Sequence, residues 1–247
     1  MSTRVPYCGL PPAPQNLAMR WNLDPVLIAC LLAMLGLFLW TARRRPGDRG
    51  TTALCAGWAV SSLALISPLC ALSVSLFSAR IGQHMLLTLI AAPLLAVGLL
   101  QAKGPGHPMA AALTFLLLLW FWHAPGPYAA TFNSPAVYWA MHLSLIGAAV
   151  WLWHELLTGP PSLGRLGAAA ISMVQMGFLG ALLTLAPHAL FGPHQLTTVA
   201  WGLTPLQDQQ LGGALMWAPG GLAFLAVALI IARHWLGGAA PRMVSAQ

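Results

Sequence analysis

The chain is 247 residues long, 58% apolar and 6% charged, with a formal net charge of +7. So few charged groups cannot cover a water-soluble globule, which excludes a soluble domain and leaves a membrane protein. The basic excess reads as a topology signal, and it makes nucleic-acid binding an unnecessary explanation.

A bilayer core of about 30 Å needs about 20 apolar helical residues per crossing. In chain order, stretches near 24–41, 53–71, 83–100, 109–123, 136–154, 167–186 and 210–232 meet that demand. The expected fold class is all-α: a polytopic membrane bundle of seven transmembrane helices. Asp24 can cap the first helix while Pro25 occupies its first turn, where the missing N–H is harmless. Ser134 and Pro135 repeat that device at the fifth. The first 20 residues hold four prolines and no continuous apolar core, so no cleaved leader is expected and the first span serves as its own signal.

Lys and Arg are retained on the cytoplasmic side of short loops. With the amino terminus outside, the inner segments hold Arg43, Arg44, Arg45, Arg49, Lys103, Arg165, Arg233 and Arg242, against Arg4, Arg20 and Arg80 outside. That balance places the carboxyl terminus in the cytoplasm. The expected organisation is a flexible extracytoplasmic tail at 1–22, a seven-helix domain at 23–235 and a cytoplasmic tail at 236–247.

Polar side chains in hydrocarbon are costly and mark sites. On this map His84 lies at the outer end of helix three, His123 at the outer end of helix four and His142 two turns below the start of helix five. His188 and His194 fall in the outer loop that Asp208 closes, and Met216 follows Asp208 into helix seven. His107, His154 and His234 lie toward the opposite face. Imidazole binds copper in either oxidation state and thioether sulphur prefers the cuprous ion, whereas hard cations need carboxylates, of which this chain has only four. The candidate metal-ligating set is therefore His84, His123, His142, Asp208 and Met216, with Asp208 ligating or orienting an imidazole.

Of the four cysteines, Cys30 and Cys55 read as small apolar residues within spans. Cys8 and Cys70 fall outside, where either a disulfide or soft-metal ligation is open to them. Gly177, Gly180, Gly212 and Gly213 fit close helix approach, and Pro93 and Pro219 can bend their spans. Trp21, Trp120, Trp122, Trp139, Trp151 and Trp153 read as interfacial anchors. Glu155 is expected to be solvated at the inner boundary. Neither a GxSxG motif nor a recognisable triad order supports hydrolase chemistry, so no enzyme is expected.

The strings QHMLLTLIAAPLLAVG, WHAPGPYAATFNSPAVYWAMHLS and PLQDQQLGGALMWAPGG, with WNLDPVLIA and SPLCALSVSLFSA, resemble the CtaG family of integral membrane assembly factors for cytochrome c oxidase. The resemblance implies a multi-pass bacterial plasma-membrane protein that matures the oxidase by helping copper reach it from the outer side. It implies oxidase subunits and a periplasmic copper donor as partners besides the bilayer. His84, His123, His142, Asp208 and the Met216–Trp217 pair stand at the family's motif positions. The family often carries a further His four residues before His84, where this chain has Arg80.

Two other classes fit parts of the pattern. A membrane cytochrome would use two of these histidines as axial haem ligands. A small-solute or metal transporter would carry polar groups through the whole bilayer thickness, whereas here they gather toward one side.

Overall fold

The computed structural model describes residues 5–44, 49–99 and 106–239, and among them every regular element is a helix. Arg4, Arg45, Lys103 and Arg242 of the topology balance lie outside the described residues, as do the outermost parts of both expected tails.

Helix α1 (Pro25–Arg44) begins where its cap requires, with Asp24 Oδ1 accepting the Val26 and Leu27 amides at 2.8 and 2.9 Å. Helix α2 (Arg49–Ile66) bends by 51° into α3 (Pro68–Ser75), whose start is set by the Ser67 hydroxyl and Pro68. After an extended Leu76 the chain restarts as α4 (Phe77–Met85), passes through a π-helical turn at Leu86–Ala91 and continues as α5 (Ala92–Leu99). Helix α6 (Pro108–His123) turns by 70° into α7 (Pro125–Asn133), and Ser134 then starts α8 (Pro135–Leu157). Helix α9 (Leu163–Leu185), a loop of short 3-10 turns, α10 (Pro205–Leu215), a second π turn at Met216–Gly220 and α11 (Gly221–Ala239) complete the bundle.

The third membrane segment thus begins at Phe77, six residues before the boundary expected at 83. No side chain near Leu76 caps it, so the local sequence carries no start signal. Arg80, Gln83 and His84 therefore lie within a helix, and Arg80 is not the outer loop cation that the charge balance took it to be. Both π turns neighbour or contain a proline, Pro93 and Pro219. A proline has no N–H to donate and its ring crowds the carbonyl four residues back, so the ladder widens there.

Four helical stretches are long and apolar enough to cross a bilayer: Phe77–Gly98, Pro135–Leu157, Leu163–Leu185 and Pro205–Gly237. Each bent pair taken as one span raises the number to six, and Pro25–Trp40 is a shorter apolar helix. Helices stand at all seven expected stretches, and four to six of them qualify as spans.

Helix α9 packs against α6, α10 and α11, α4 against α3 and α10, and α5 against α2 and α8. The α9–α10 contact is backbone on backbone, because a Cβ on Gly180 would lie 2.7 Å from the Gly213 carbonyl oxygen, and one on Gly213 equally close to that of Gly180. A Cβ on Gly212 would stand 2.6 Å from the Phe77 ring, while Gly177 leaves ordinary van der Waals space to Trp217.

Three further expectations are corrected. Trp122 and Trp153 are core residues, not interfacial anchors; their indoles donate to Ser144 Oγ at 2.9 Å and to the Thr88 carbonyl at 2.7 Å. Inside a bundle an indole N–H finds protein partners, which periodicity does not reveal. Glu155 is buried rather than solvated, and its carboxylate and the Arg165 guanidinium both close on Gly106. The amino-terminal segment from residue 5 onward is pinned rather than loose. A Cys8–Cys70 disulfide ties it to α3 with Cα atoms 5.5 Å apart, the Ser75 hydroxyl donates to the Pro12 carbonyl at 3.0 Å, and the Asn22 amide donates to Ile66 at 2.8 Å.

Candidate functional site

Three helices each bring one imidazole to the same place. His84 comes from α4, His123 is the last residue of α6, and His142 lies two turns into α8; they are 2%, 4% and 0% exposed. The His84 ring centroid is 5.8 Å from that of His123 and 5.3 Å from that of His142.

Their hydrogen bonds define what they can do. His123 Nδ1 meets the Leu119 carbonyl at 2.7 Å, and His142 Nδ1 meets the Tyr138 carbonyl at 3.0 Å. A carbonyl only accepts, so each Nδ1 carries the proton and each Nε2 presents a lone pair. Neither Nε2 has a partner, and His84 has none at either nitrogen. Four buried ring nitrogens are left unpaired in a setting where each normally costs about 1–3 kcal/mol.

A column of side chains leads from this cluster to the disulfide. The Tyr138 ring lies 4.2 Å from that of His142, and Tyr7 stacks on Tyr138 at 4.8 Å. The Tyr138 hydroxyl lies 3.4 Å from Cys8 Sγ and 3.7 Å from Cys70 Sγ. Disulfide sulphur carries no proton, so Tyr138 is the donor there. Gln83 donates from Nε2 to the Ala64 carbonyl at 2.7 Å.

Arg80, one helical turn before His84, is 1% exposed. Its Nε donates to the Ser73 carbonyl at 3.3 Å and its Nη1 to Thr131 Oγ1 at 2.9 Å. The guanidinium carbon lies 4.3, 5.4 and 5.7 Å from the ring centroids of Phe132, Tyr128 and Tyr138. None of these partners is a carboxylate. A charged residue at i−4 of a histidine shares its helix face, the one sequence signal that could have placed Arg80 beside the cluster.

His194 is buried too, but it is committed. The Ser75 carbonyl accepts from its Nδ1 at 3.2 Å, and the Tyr128 hydroxyl donates to its Nε2 at 2.7 Å. Burial, reinforced by the charge of Arg80, lowers its pKa to about 3. His188 is exposed.

The structure does not bring Asp208 to the imidazoles. From the first turn of α10 its carboxylate accepts the Phe77 amide at 2.6 Å, the Ser78 amide at 3.1 Å and the Ser78 hydroxyl. It therefore caps α4 from another helix, about 10 Å along the axis from His84. Met216 is fully buried in the second π turn, in the same core as Met85 and Met141. As the side chains stand, no group of three or more His, Cys, Asp or Glu among the described residues is arranged around a common metal position.

Apolar helices around a buried imidazole cluster define a polytopic membrane protein with a polar site at one end of its bundle. The family model of the cytochrome c oxidase caa3 assembly factor (Caa3_CtaG) matches residues 33–101 and 103–237, and the chain belongs to that family. No curated protein and no solved structure matches the chain.

Proposed function

We propose that this protein serves oxidase assembly by holding a cuprous ion at the His84–His123–His142 cluster and passing it on from the outer face of the bacterial plasma membrane. The observation that carries this reading is the set of four buried ring nitrogens without partners. Evolution does not need three unsatisfied imidazoles for packing, and their lone pairs are what a soft or borderline metal takes.

Ring positions fit the reading. Imidazoles bound to one ion at about 2.0–2.1 Å bring their centroids to within about 5–5.5 Å of one another. The two separations that involve His84, 5.3 and 5.8 Å, lie at or near that range. His123 and His142 are already held in the ligating tautomer by backbone carbonyls, as metal-binding histidines usually are. The ion is cargo, so an incomplete and exchangeable shell suits the task, and no bond-breaking chemistry is called for.

Asp208 enters as a positioning residue that sets the start of α4 and with it the place of His84. Support for Met216 as a soft exchange ligand rests on its burial in the core that also holds Met85 and Met141, the sequence neighbours of His84 and His142, and on the preference of thioether for cuprous copper. A disulfide persists where the environment is oxidising, which favours an extracytoplasmic amino terminus and a copper donor on that side. Oxidase subunits would then receive the ion at that face.

Anaerobic cuprous titration of the purified protein beside the combined His84→Ala, His123→Ala and His142→Ala variant tests the reading. Binding of one ion by the native chain and none by the variant is expected. Equal binding by the two would remove the site.

A further inference from the structure

A buried guanidinium is costly unless an acid neutralises it. Among the described residues Arg80 has no acid partner, only a carbonyl, a hydroxyl and three aromatic faces. Arginine does not shed its proton in proteins, so this charge is permanent. It lies on the same face of α4 as His84, about 6 Å away along the helix. Tyr138 links it to the rest of the cluster, with the guanidinium 5.7 Å from the Tyr138 centroid and the His142 ring 4.2 Å from it on the same tyrosine. Arg80 and the three imidazoles are all buried, so the field at the imidazoles is weakly screened.

We propose that Arg80 makes the histidine cluster selective by charge, admitting a singly charged soft ion and rejecting doubly charged ones. The inference rests on the reading of the cluster as a copper site and adds what the ligands alone do not supply. Three neutral imidazoles are a donor set that zinc readily takes, and divalent copper binds such nitrogen sites more tightly still. Ligand chemistry would therefore let the wrong ions fill the cluster.

Electrostatic repulsion is linear in the charge of the ion. Whatever factor Arg80 imposes on a cuprous ion, it imposes the square of that factor on a divalent one. At about 6–10 Å and an effective dielectric near 20, the factor is on the order of 15–100 for a single charge and roughly a few hundred to ten thousand for a double one. The same charge loosens the cuprous ion, which is what a protein that must give up its cargo needs.

Cuprous copper and zinc are both closed-shell ions that differ in charge, so they separate this effect from ligand preference. We suggest anaerobic titration of each ion into the full chain in lipid nanodiscs, for the native protein, Arg80→Lys and Arg80→Gln. Cuprous binding with zinc excluded is expected for the native chain and for Arg80→Lys, which keeps the charge. In Arg80→Gln both ions should tighten, with the logarithm of the gain for zinc twice that for cuprous copper.

Native protein that takes zinc as tightly as cuprous copper would overturn the proposal, and that comparison stands even if Arg80→Gln does not fold. An equal gain for both ions in Arg80→Gln would also overturn it. If the native chain binds neither ion but Arg80→Gln takes zinc, Arg80 blocks cations without admitting cuprous copper, and both the selectivity and the copper reading fall. If no form binds either ion, both fall.

Discussion

Two buried histidine environments lie at the disulfide end of the bundle, and they differ in one respect. His194 is 1% exposed and spends both ring nitrogens on Tyr128 and Ser75. His84, His123 and His142 are as deeply buried, yet four of their six ring nitrogens have no partner. Burial alone does not single out a site, since a core histidine with both nitrogens bonded is structural. What singles out the trio is hydrogen-bonding capacity kept open where leaving it open is unfavourable.

The largest effect expected on this comparison comes from the disulfide that holds the amino-terminal segment over the trio. Cys8 and Cys70 are 62 residues apart, and a cross-link closing a loop of that length stabilises by about 4 kcal/mol through the unfolded chain. Cys70→Ser should lower the unfolding midpoint accordingly in thermal or denaturant melts. Through Tyr7 and Tyr138 it should also speed exchange of bound cuprous ion, while the His194 network stays in place. A variant with native stability would show that the segment is held by its other contacts.

A smaller pair of changes should move in opposite directions. His194→Leu strands the Tyr128 hydroxyl and the Ser75 carbonyl and should cost about 1–3 kcal/mol. His84→Leu removes two unpaired buried nitrogens and should be neutral or stabilising by a similar amount while metal binding is lost. Denaturant unfolding of the two purified variants checks this, and a destabilised His84→Leu would erase the contrast.

The remaining effect appears only on acidification. The pKa of His194 is lowered to about 3 in the folded protein by burial and then by the charge of Arg80, against an unfolded value near 6.5. The folded form keeps this imidazole neutral, and the unfolded chain takes up a proton as pH falls. Its contribution is therefore complete above about pH 6.5 and is lost progressively toward pH 3. His194→Gln, whose amide can donate to Ser75 and accept from Tyr128, should flatten that part of the acid loss. Identical slopes of melting temperature against pH for the native and Gln proteins would contradict it.

Much of this architecture was legible from local signals. Membrane insertion follows from apolar run length, and the caps at Asp24 and Ser134 follow from residue type and the adjacent proline. The grouping of His84, His123 and His142 at one end followed from counting helical rises from each span boundary. The role of Asp208 could not be read this way, because the helix it caps lies more than 120 residues away in sequence and a carboxylate before an apolar run also looks like a ligand or a local cap. Trp122, Trp153 and Glu155 were placed at the boundary because depth is readable and the facing partner is not. Cys8 and Cys70 left two chemistries open until the fold set their Cα atoms 5.5 Å apart.

Apolar run length, caps and prolines determined by themselves that this chain lies in a membrane and where most of its helices start, because bilayer thickness and unsatisfied helix ends act on neighbours in sequence. Only the tertiary structure decided that Arg80 is a buried cation without an acid, that His194 is satisfied, and that three imidazoles are not. Those facts depend on which side chains from distant helices face one another, and in a low-dielectric interior that pairing sets the energy of every polar group.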